Sequence, residues 1–404
     1  MPRYAASMAR TPHGTAARLA PFGESVFARI SRLAAEHGAV NLGQGFPNFD
    51  GPQFVKDAGK QAIDAGFGQY ARFIGLPEVN RAIAARFKTD QGLEIDPERE
   101  ITVTSGCTEA IAATMLGLVE PGDEVVLFEP FYDSYPATAA MAGAVVKPVR
   151  LEAPHFRLPV EALRQAVTPR TRLILLNTPH NPTGRIFDAD ELRAVAEIAR
   201  AAGCLVVSDE VYEHLWYARP HTSIATLPGM RERTIVLSSL GKSFSLTGWK
   251  VGWAIAPPNL SAGIRAAHQF LTFATATPLQ RACVEALSAP ANYFEELRRE
   301  YDERRQALLA VLRDTGFHPL TPEGSYFVLA EHARFGHPSD EAFCEHLIRD
   351  VGVAAIPCSP FYANRAGADR LVRFAFCKTR DTIRQAGERL KARLHPLAAA
   401  GGSC

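Results

Sequence analysis

The chain has 404 residues, 47% hydrophobic and 22% charged, a composition typical of a globular protein and a length that suits two domains. Its 44 basic and 43 acidic residues give a formal net charge of +1, which argues against a nucleic-acid partner because such proteins concentrate basic charge on one face. The seven cysteines are scattered, which disfavours a disulfide framework and a structural zinc site and fits a reducing cytosol, so we predict a cytoplasmic protein. No apolar run approaches the roughly 20 residues that span a bilayer, so we predict no membrane partner.

The first segment, residues 1–23, contains Arg3, Arg10 and Arg18 and no acidic residue. It lacks the apolar core of a signal peptide and a clear amphipathic stripe. We therefore predict a mobile N-terminal arm and keep a transit peptide as the alternative.

Residues 48–290 alternate short apolar runs with helical patterns. Asp188 and Glu191 form a capping-box pattern before one helix, and Gly203 can end that helix. This rhythm predicts an α/β fold with a mostly parallel sheet covered by helices on both faces. The predicted strands are 100–106, 124–130, 172–179, 204–210 and 234–240, and the predicted helices are 107–123 and 188–203.

The pattern changes at residue 291. A long charged helix over 291–316 precedes strand-like stretches and a last helix, which predicts a smaller α+β domain over residues 291–404. The strand-like stretches are "SYFVLAE", "GVAAIP" and "LVRFAF".

Four polar groups follow the carboxyl ends of predicted strands, where ligands bind in open α/β sheets. They are residues 106–108, Asn181, Asp209, and Ser239 together with Lys242. The sequence therefore predicts a ligand site at this edge of the large sheet.

Lys242 lies in "SSLGKSFSLTGWKVGW" and admits two interpretations. It could end a nucleotide-binding P-loop, or it could bind an aldehyde cofactor covalently as an imine. A P-loop needs a glycine five residues before Gly241, so that the backbone can fold around phosphates. Val236 stands at that position, inside a β-branched strand, and the P-loop interpretation is rejected.

An aldehyde cofactor such as pyridoxal phosphate needs companion residues, and the same edge supplies them. Its ring nitrogen needs a carboxylate, which Asp209 offers, and its phenolic oxygen needs donors such as Asn181 and Tyr212. Its phosphate needs backbone amides at a helix start, a hydroxyl and a cation, a pattern completed by Ser239 and Lys250. The residues thus favour pyridoxal-phosphate chemistry.

The motifs "NPTG", "SDEVY" and "SSLGKSFSLTGWKVGW", in this order and spacing, resemble those of class I aminotransferases, which are pyridoxal-phosphate enzymes of fold type I. The resemblance runs from about Glu24 to the last helix. "NLGQGFPNFDGP", "EPFYDSY" and "GVAAIPCSPFY" resemble the kynurenine, glutamine and methionine aminotransferase branch. The resemblance implies a seven-stranded sheet in a large domain over 48–290, places residues 24–47 in the small domain, and implies a homodimer with shared active sites.

The resemblance also assigns the cofactor contacts. Lys242 forms the imine and shuttles a proton, and Asp209 pairs with the protonated ring nitrogen. Tyr212 and Asn181 bond the phenolic oxygen. The residues implied to bind the phosphate are Gly106, Cys107, Thr108, Ser239 and Lys250.

Further roles follow from the same resemblance. Tyr132 is implied to stack on the cofactor ring, with Phe131 as the other candidate. Tyr70 is implied to reach the phosphate of the neighbouring subunit. Arg373 is implied to hold the α-carboxylate of the substrate, beside the backbone of Gly45.

The substrate side chain is predicted to be neutral. In the family, a second arginine binds the side-chain carboxylate of aspartate, and the matching stretch here is the apolar "HQFLTFATATPLQ". Buried aromatics such as Phe27 and Phe273 then favour methionine-, glutamine- or aromatic-type L-amino acids, with a 2-oxo acid as the acceptor. The alternatives are a cysteine-S-conjugate β-lyase and a succinyldiaminopimelate aminotransferase. A non-enzymatic binding module is disfavoured because no basic helix-turn-helix is present.

Overall fold

The computed structural model describes residues 14–395, so most of the predicted N-terminal arm lies outside the described part. The strands are β1 (Val40–Asn41), β2 (Ile101–Thr104), β3 (Glu124–Glu129), β4 (Val145–Arg150), β5 (Thr171–Asn177), β6 (Leu205–Asp209), β7 (Thr234–Ser239), β8 (Gly252–Ile255), β9 (His318–Leu320), β10 (Phe327–Glu331), β11 (Val353–Ala354), β12 (Ile356–Pro357) and β13 (Leu371–Ala375). The α-helices are α1 (Val26–Glu36), α2 (Gln53–Asp64), α3 (Pro77–Gln91), α4 (Gly106–Leu118), α5 (Ser134–Met141), α6 (Val160–Ala166), α7 (Ala189–Ala202), α8 (Leu240–Ser243), α9 (Pro258–Leu271), α10 (Thr277–Leu287), α11 (Ala291–Asp314), α12 (Asp340–His346) and α13 (Arg380–Arg393).

The large sheet has seven strands in the order β2-β8-β7-β6-β5-β3-β4. Neighbouring strands are parallel except where β8 pairs with β2 and β7. Every residue of β3, β6 and β7 is buried, as expected for a parallel sheet covered on both faces. The prediction of a mostly parallel α/β sheet is confirmed.

Two strands of this sheet were not predicted. β4 is an edge strand with only Val149 buried, and its Lys147 and Pro148 weaken the apolar signal on which a strand prediction depends. Proline is tolerated at a sheet edge because no ladder hydrogen bond is lost there. β8 is only four residues long and directly follows the segment that carries Lys242.

The capping signals before α7 are confirmed. The Asp188 carboxylate accepts the Glu191 N–H at 2.9 Å, and the Glu191 carboxylate accepts the Asp188 N–H at 2.9 Å. Gly203 has a φ of 70° and ends the helix in the left-handed conformation that favours glycine.

A second, antiparallel sheet has the order β12-β13-β10-β9, and it places Leu329 of β10 opposite Arg373 of β13. β1 pairs in parallel with β11, so a strand within residues 24–47 joins the segment after residue 291. The predicted long helix is present as α11. The division into a large and a small domain stays a prediction that this pairing supports. None of the described helices is long and apolar enough to cross a membrane.

Candidate active site

A cavity of about 400 Å³ opens at the carboxyl ends of β5, β6 and β7. This size is typical of small-molecule sites, which run from roughly 300 to 1,000 Å³. All predicted site residues line it except Tyr70, Phe273 and the alternative stacking candidate Phe131. The predicted residues in its wall are Phe27, Gly45, Gly106, Cys107, Thr108, Tyr132, Asn181, Asp209, Tyr212, Ser239, Lys242, Lys250 and Arg373.

Asp209 is the last residue of β6 and is 4% exposed. The Tyr135 hydroxyl donates to its Oδ2 at 2.7 Å, while the Cys107 thiol lies 3.5 Å from Oδ1 and the Val211 N–H 3.3 Å from it. Burial raises the pKa of this carboxyl, and the hydrogen bond from Tyr135 is the strongest of the effects that oppose the rise. A buried carboxylate with donors on both oxygens can hold a protonated ring nitrogen.

Lys242 lies on α8, directly after β7. Its ammonium stands 5.8 Å from the ring centre of Tyr212 and 5.9 Å from that of Tyr326. Desolvation by burial lowers the pKa of this lysine, and the nearby Lys250 charge acts in the same direction. A lysine with a lowered pKa has a larger fraction of free amine and is the better nucleophile.

The N-terminus of α4 forms a cradle for an anion. A Cβ atom on Gly106, whose φ is +74°, would lie 3.1 Å from Nζ of Lys250, so the lysine ammonium is held against the helix start. Lys250 itself has a φ of 54° in the left-handed region. A Cβ on Gly252 would lie 2.6 Å from the carbonyl carbon of Gly106, so β8 can approach the helix this closely only with glycine there. Helix amides, a lysine and the nearby Ser239 hydroxyl suit a phosphate dianion.

Arg373 projects from β13 and is 1% exposed. Its Nη1 donates to Oδ1 of Asn181 at 2.8 Å and its Nη2 to the Gly43 carbonyl oxygen at 3.0 Å, but its Nε has no acceptor. Its guanidinium stacks over Phe327 at 4.0 Å from the ring centre and forms no ion pair with an acid in residues 14–395. A buried, unpaired charge is costly, so this group is suited to receive a carboxylate from a ligand.

The two candidates for stacking on the cofactor ring, Tyr132 and Phe131, differ in whether they line the cavity. Tyr132 lines the cavity, whereas Phe131 is 2% exposed and belongs to the hydrophobic core. A Cβ on Gly45 would lie 2.9 Å from the Phe327 ring and 3.9 Å from Nη2 of Arg373, and the contact of its backbone with a substrate carboxylate stays a prediction.

Two predicted aromatics lie outside the cavity. Phe273 was expected to be buried in the pocket, but within the single chain it is 42% exposed and does not line the cavity. Its ring packs edge-on against Tyr70, which is 86% exposed, with 5.5 Å between ring centres. The expectation for Phe273 is therefore wrong for one chain, because the α9–α10 junction turns this ring outward. The role of Tyr70 in a neighbouring subunit stays a prediction.

Sequence reasoning missed several cavity residues. Tyr135 sits in the quoted motif "EPFYDSY", three residues after Tyr132, and a polar aromatic there was available as a signal. Asn177 ends β5, and its side-chain amide donates to the Asp209 carbonyl oxygen at 2.9 Å. Phe327 could be placed only once the pairing of β10 with β13 was known.

The arrangement fits a phosphate-bearing aromatic aldehyde with a ring nitrogen. The start of α4 with Lys250 lies in one part of the cavity wall, and the Asp209 carboxylate lies in another. The amine of Lys242 lines the same cavity. No group of three or more metal-ligating side chains is present in residues 14–395.

Residues 37–390 match the family described as aminotransferase class I and II. The methionine aminotransferase of Escherichia coli K12 is 38% identical, over 95% of this chain and 100% of that protein. The kynurenine–oxoglutarate transaminase of Dictyostelium discoideum is also 38% identical, over 91% and 94%. The solved structure of N-succinyldiaminopimelate aminotransferase from Mycobacterium tuberculosis matches with a TM-score of 0.92 and 47% identity, covering 94% of this chain and 100% of that one.

These matches span nearly the whole length of both partners, and the solved structure shares the α/β architecture described above. The motifs around Asn181, Asp209 and Lys242 fall within the matched range. The chain therefore belongs to the class I and II aminotransferases and is a pyridoxal-phosphate-dependent enzyme.

Proposed function

We propose that the enzyme moves the amino group of a neutral L-amino acid, of methionine, glutamine or aromatic type, to a 2-oxo acid. The observation that carries this proposal is Arg373, a buried guanidinium without an acidic partner in residues 14–395 and with one N–H lacking an acceptor. A guanidinium fork binds a carboxylate through two parallel hydrogen bonds, and both substrate classes of a transaminase carry an α-carboxylate.

The other cavity residues are assigned by their chemistry. Bound pyridoxal phosphate supplies an aldehyde that condenses with amines and a ring that accepts electrons from the substrate Cα. Lys242 would hold that aldehyde in the resting enzyme and would afterwards move the proton of the substrate Cα. Asp209 would keep the ring nitrogen protonated, and Tyr212 and Asn181 would donate to the phenolic oxygen.

The phosphate is assigned to the cradle at the start of α4. Gly106, Cys107 and Thr108 offer backbone amides, and Thr108 and Ser239 add hydroxyls. Lys250 adds a positive charge. Tyr132 is proposed to stack on the ring, because it lines the cavity and Phe131 does not.

The preference for a neutral side chain follows from the cations of the cavity. Within the described chain, its lining contains only Lys242, Lys250 and Arg373 as basic residues, and each has a proposed task. No cation is then left for a carboxylate on the substrate side chain. Phe27 and Phe46 line the cavity as well and offer apolar contact to a thioether, an amide stem or a ring.

A second candidate is an N-succinyldiaminopimelate aminotransferase, which the 47% identity to the Mycobacterium tuberculosis enzyme favours. Its substrate carries additional carboxylates far from the reacting amine. Residues 14–395 of a single chain offer no free cation for them in the cavity. This candidate therefore requires that a neighbouring subunit supplies the charge.

The proposed assembly is a homodimer with shared active sites, working in the cytoplasm. Tyr70, Phe270 and Phe273 expose 86%, 85% and 42% of their surface, and large aromatics this exposed are typical of a protein interface. The six described cysteines are free thiols, which suits a reducing compartment.

The test is a set of half-reactions followed by cofactor absorbance, with L-methionine, L-glutamine, L-kynurenine, L-aspartate and N-succinyldiaminopimelate as donors. The proposal expects fast conversion with the first three and at least tenfold slower conversion with the last two. Faster conversion with N-succinyldiaminopimelate than with L-methionine would favour the second candidate, an N-succinyldiaminopimelate aminotransferase. Release of pyruvate and ammonia from a cysteine S-conjugate without any oxo acid would identify a β-lyase.

A further inference from the structure

Tyr135 is a cavity residue to which the motifs assigned no role. It is the second residue of α5 and is 3% exposed, and its hydroxyl donates to Oδ2 of Asp209 at 2.7 Å. This bond is as short as O–H···O⁻ bonds to ionised acceptors usually are. Its ring meets that of Tyr132 edge-on, with 5.7 Å between ring centres.

The hydrogen bond from Tyr135 opposes the effect of burial on the Asp209 carboxylate. Desolvation raises the pKa of Asp209, which on its own favours the neutral acid over the anion. Hydrogen bonds to the charged form act in the opposite direction, and that from Tyr135 is the strongest of them. Burial together with the Asp209 charge raises the pKa of Tyr135 well above its ordinary range, so its hydroxyl keeps its proton and stays a donor.

The same contacts fix the orientation of the carboxylate. Tyr135 holds Oδ2, while the backbone N–H of Val211 and the thiol of Cys107 face Oδ1. The thiol is the weaker donor because sulfur hydrogen bonds are long and poorly polarised. Rotation of the carboxyl group would break contacts on both oxygens.

We propose that Tyr135 is a positioning residue that keeps Asp209 ionised and correctly oriented toward the ring nitrogen of pyridoxal phosphate, with Cys107 as a weaker second donor. The proposal rests on the proposed role of Asp209 at that nitrogen. Tyr135 acts through Asp209 and does not contact the reacting atoms of the substrate.

The alternative is that Tyr135 serves only as a core aromatic, since its ring belongs to the same hydrophobic cluster as Phe131. Tyr135→Phe separates the two roles because it removes the hydroxyl and keeps the ring. Tyr217→Phe is the matched control, because the Tyr217 hydroxyl donates to the Ser325 carbonyl oxygen at the same 2.7 Å but does not line the cavity.

The experiment loads each full-length variant with pyridoxal phosphate labelled with ¹⁵N in the ring and records the ¹⁵N chemical shift at neutral pH. Tyr135→Phe is expected to move this shift toward the value of an unprotonated pyridine. It should also raise the cofactor dissociation constant by roughly tenfold or more, the usual worth of one hydrogen bond to a charged group. Tyr217→Phe should leave both unchanged. A wild-type ¹⁵N shift in Tyr135→Phe overturns the proposal.

Two further variants check the direction of the ¹⁵N shift and the relative strength of the two donors. Tyr135→3-fluorotyrosine carries a more acidic hydroxyl and a full-sized ring, so it should move the ¹⁵N shift in the opposite direction to Tyr135→Phe. Cys107→Ala should act in the same direction as Tyr135→Phe but less, and a larger effect would overturn the ranking of the two donors.

Asp209→Ala separates a failure of this inference from a failure of the proposed role of Asp209. If that variant keeps a protonated ring nitrogen and normal turnover, the role of Asp209 is wrong and the inference on Tyr135 falls with it, while the transamination itself stands. If Asp209→Ala loses both while Tyr135→Phe behaves as wild type, only the inference on Tyr135 falls.

Discussion

Two polar regions meet at the end of β6, and one of them lines the cavity while the other lies away from it. Asp209 faces the cavity, and the next residue, Glu210, faces the opposite side. The Glu210 carboxylate accepts the hydroxyls of Ser208 and Ser223 at 2.7 and 2.8 Å and the imidazole N–H of His221 at 2.9 Å. Both of its oxygens therefore have donors from the protein itself, as those of Asp209 do, but only Asp209 lines the cavity.

The buried arginines of the two regions differ in their charged partners. Arg185 is ion-paired with Glu191 away from the cavity, and its Nη1 donates to the His155 carbonyl oxygen at 2.8 Å. Arg373 has no acidic partner in the described residues, although Nε lacks an acceptor in both arginines. Lys242 likewise forms no ion pair within residues 14–395.

The difference separates structural from ligand-binding polar groups. Where a buried polar group lies away from the cavity and has its partners within the protein, it stabilises the fold. Where a buried charge lines the cavity without an ion pair, it is costly to the fold and can bind a ligand of opposite charge. Variants on the two sides should therefore change different properties, activity on the cavity side and stability on the other.

The largest effect is expected for Lys242→Ala. The variant removes the half-buried amine of Lys242 from the cavity wall, so it should lose covalent attachment of pyridoxal phosphate and at least roughly 100- to 10,000-fold in turnover. Borohydride reduction followed by peptide mass spectrometry measures the attachment, and a steady-state assay measures the turnover. Lys378→Ala is a control, because this buried lysine donates to the carbonyl oxygens of Gln44 and Phe46 and does not line the cavity. A cofactor adduct elsewhere, with retained turnover, would refute the assignment of Lys242.

The second effect concerns stability and pH. Burial raises the pKa of Glu213 from an ordinary 4.5 to about 8, with the charges of Glu210 and Asp90 adding to the rise. Its contribution to stability is therefore fully present below about pH 4.5 and is lost as the pH rises through about 8. Glu213→Gln should remove this dependence, so wild type should lose on the order of a few kcal/mol relative to the variant between pH 5 and 8.5. Denaturant unfolding at both pH values measures it, and parallel curves for the two proteins would contradict it.

A smaller loss is expected for Glu210→Gln. The amide cannot accept on both sides, so one of the donors from Ser208, Ser223 and His221 is left without a partner, at a cost of about 1–3 kcal/mol in unfolding free energy. The folded variant should keep its affinity for L-methionine, since Glu210 does not line the cavity. Loss of methionine affinity with unchanged stability would reverse the assignment of the two regions.

The smallest effect is expected for Lys250→Arg. The charge is kept, and a planar guanidinium can bind a phosphate through two bonds, so the cofactor dissociation constant should fall by less than about tenfold. Lys250→Met should instead raise it. Equilibrium dialysis against pyridoxal phosphate compares the two variants, and equal constants would show that Lys250 does not contact the phosphate.

Much of the fold could be predicted because its signals are local. The helix α7 is predicted by the capping residues Asp188, Glu191 and Gly203. The strands β5, β6 and β7 are predicted by their apolar runs. β4 could not be predicted, since an edge strand with one buried residue has no apolar pattern.

The site residues also fall into those that could be predicted from local sequence and those that could not. Lys242, Asp209 and Asn181 were predictable because they sit in contiguous motifs just past strand ends. Phe327 was not, because its place against Arg373 depends on the pairing of two strands more than forty residues apart. Phe273 was misplaced for the same reason, since its direction is set by the turn between α9 and α10 and not by its neighbours in sequence.

We propose above all that the substrate α-carboxylate binds to the guanidinium of Arg373, which forms no ion pair within the described residues. It is tested most directly by measuring the L-methionine dissociation constant from the half-reaction absorbance in wild type, Arg373→Met and Arg185→Met. The account predicts a rise of roughly 10- to 100-fold for Arg373→Met, the worth of one or more hydrogen bonds between charged groups, and no rise for Arg185→Met, which should lose stability instead. An unchanged dissociation constant in Arg373→Met, or an equal rise in both variants, would contradict it.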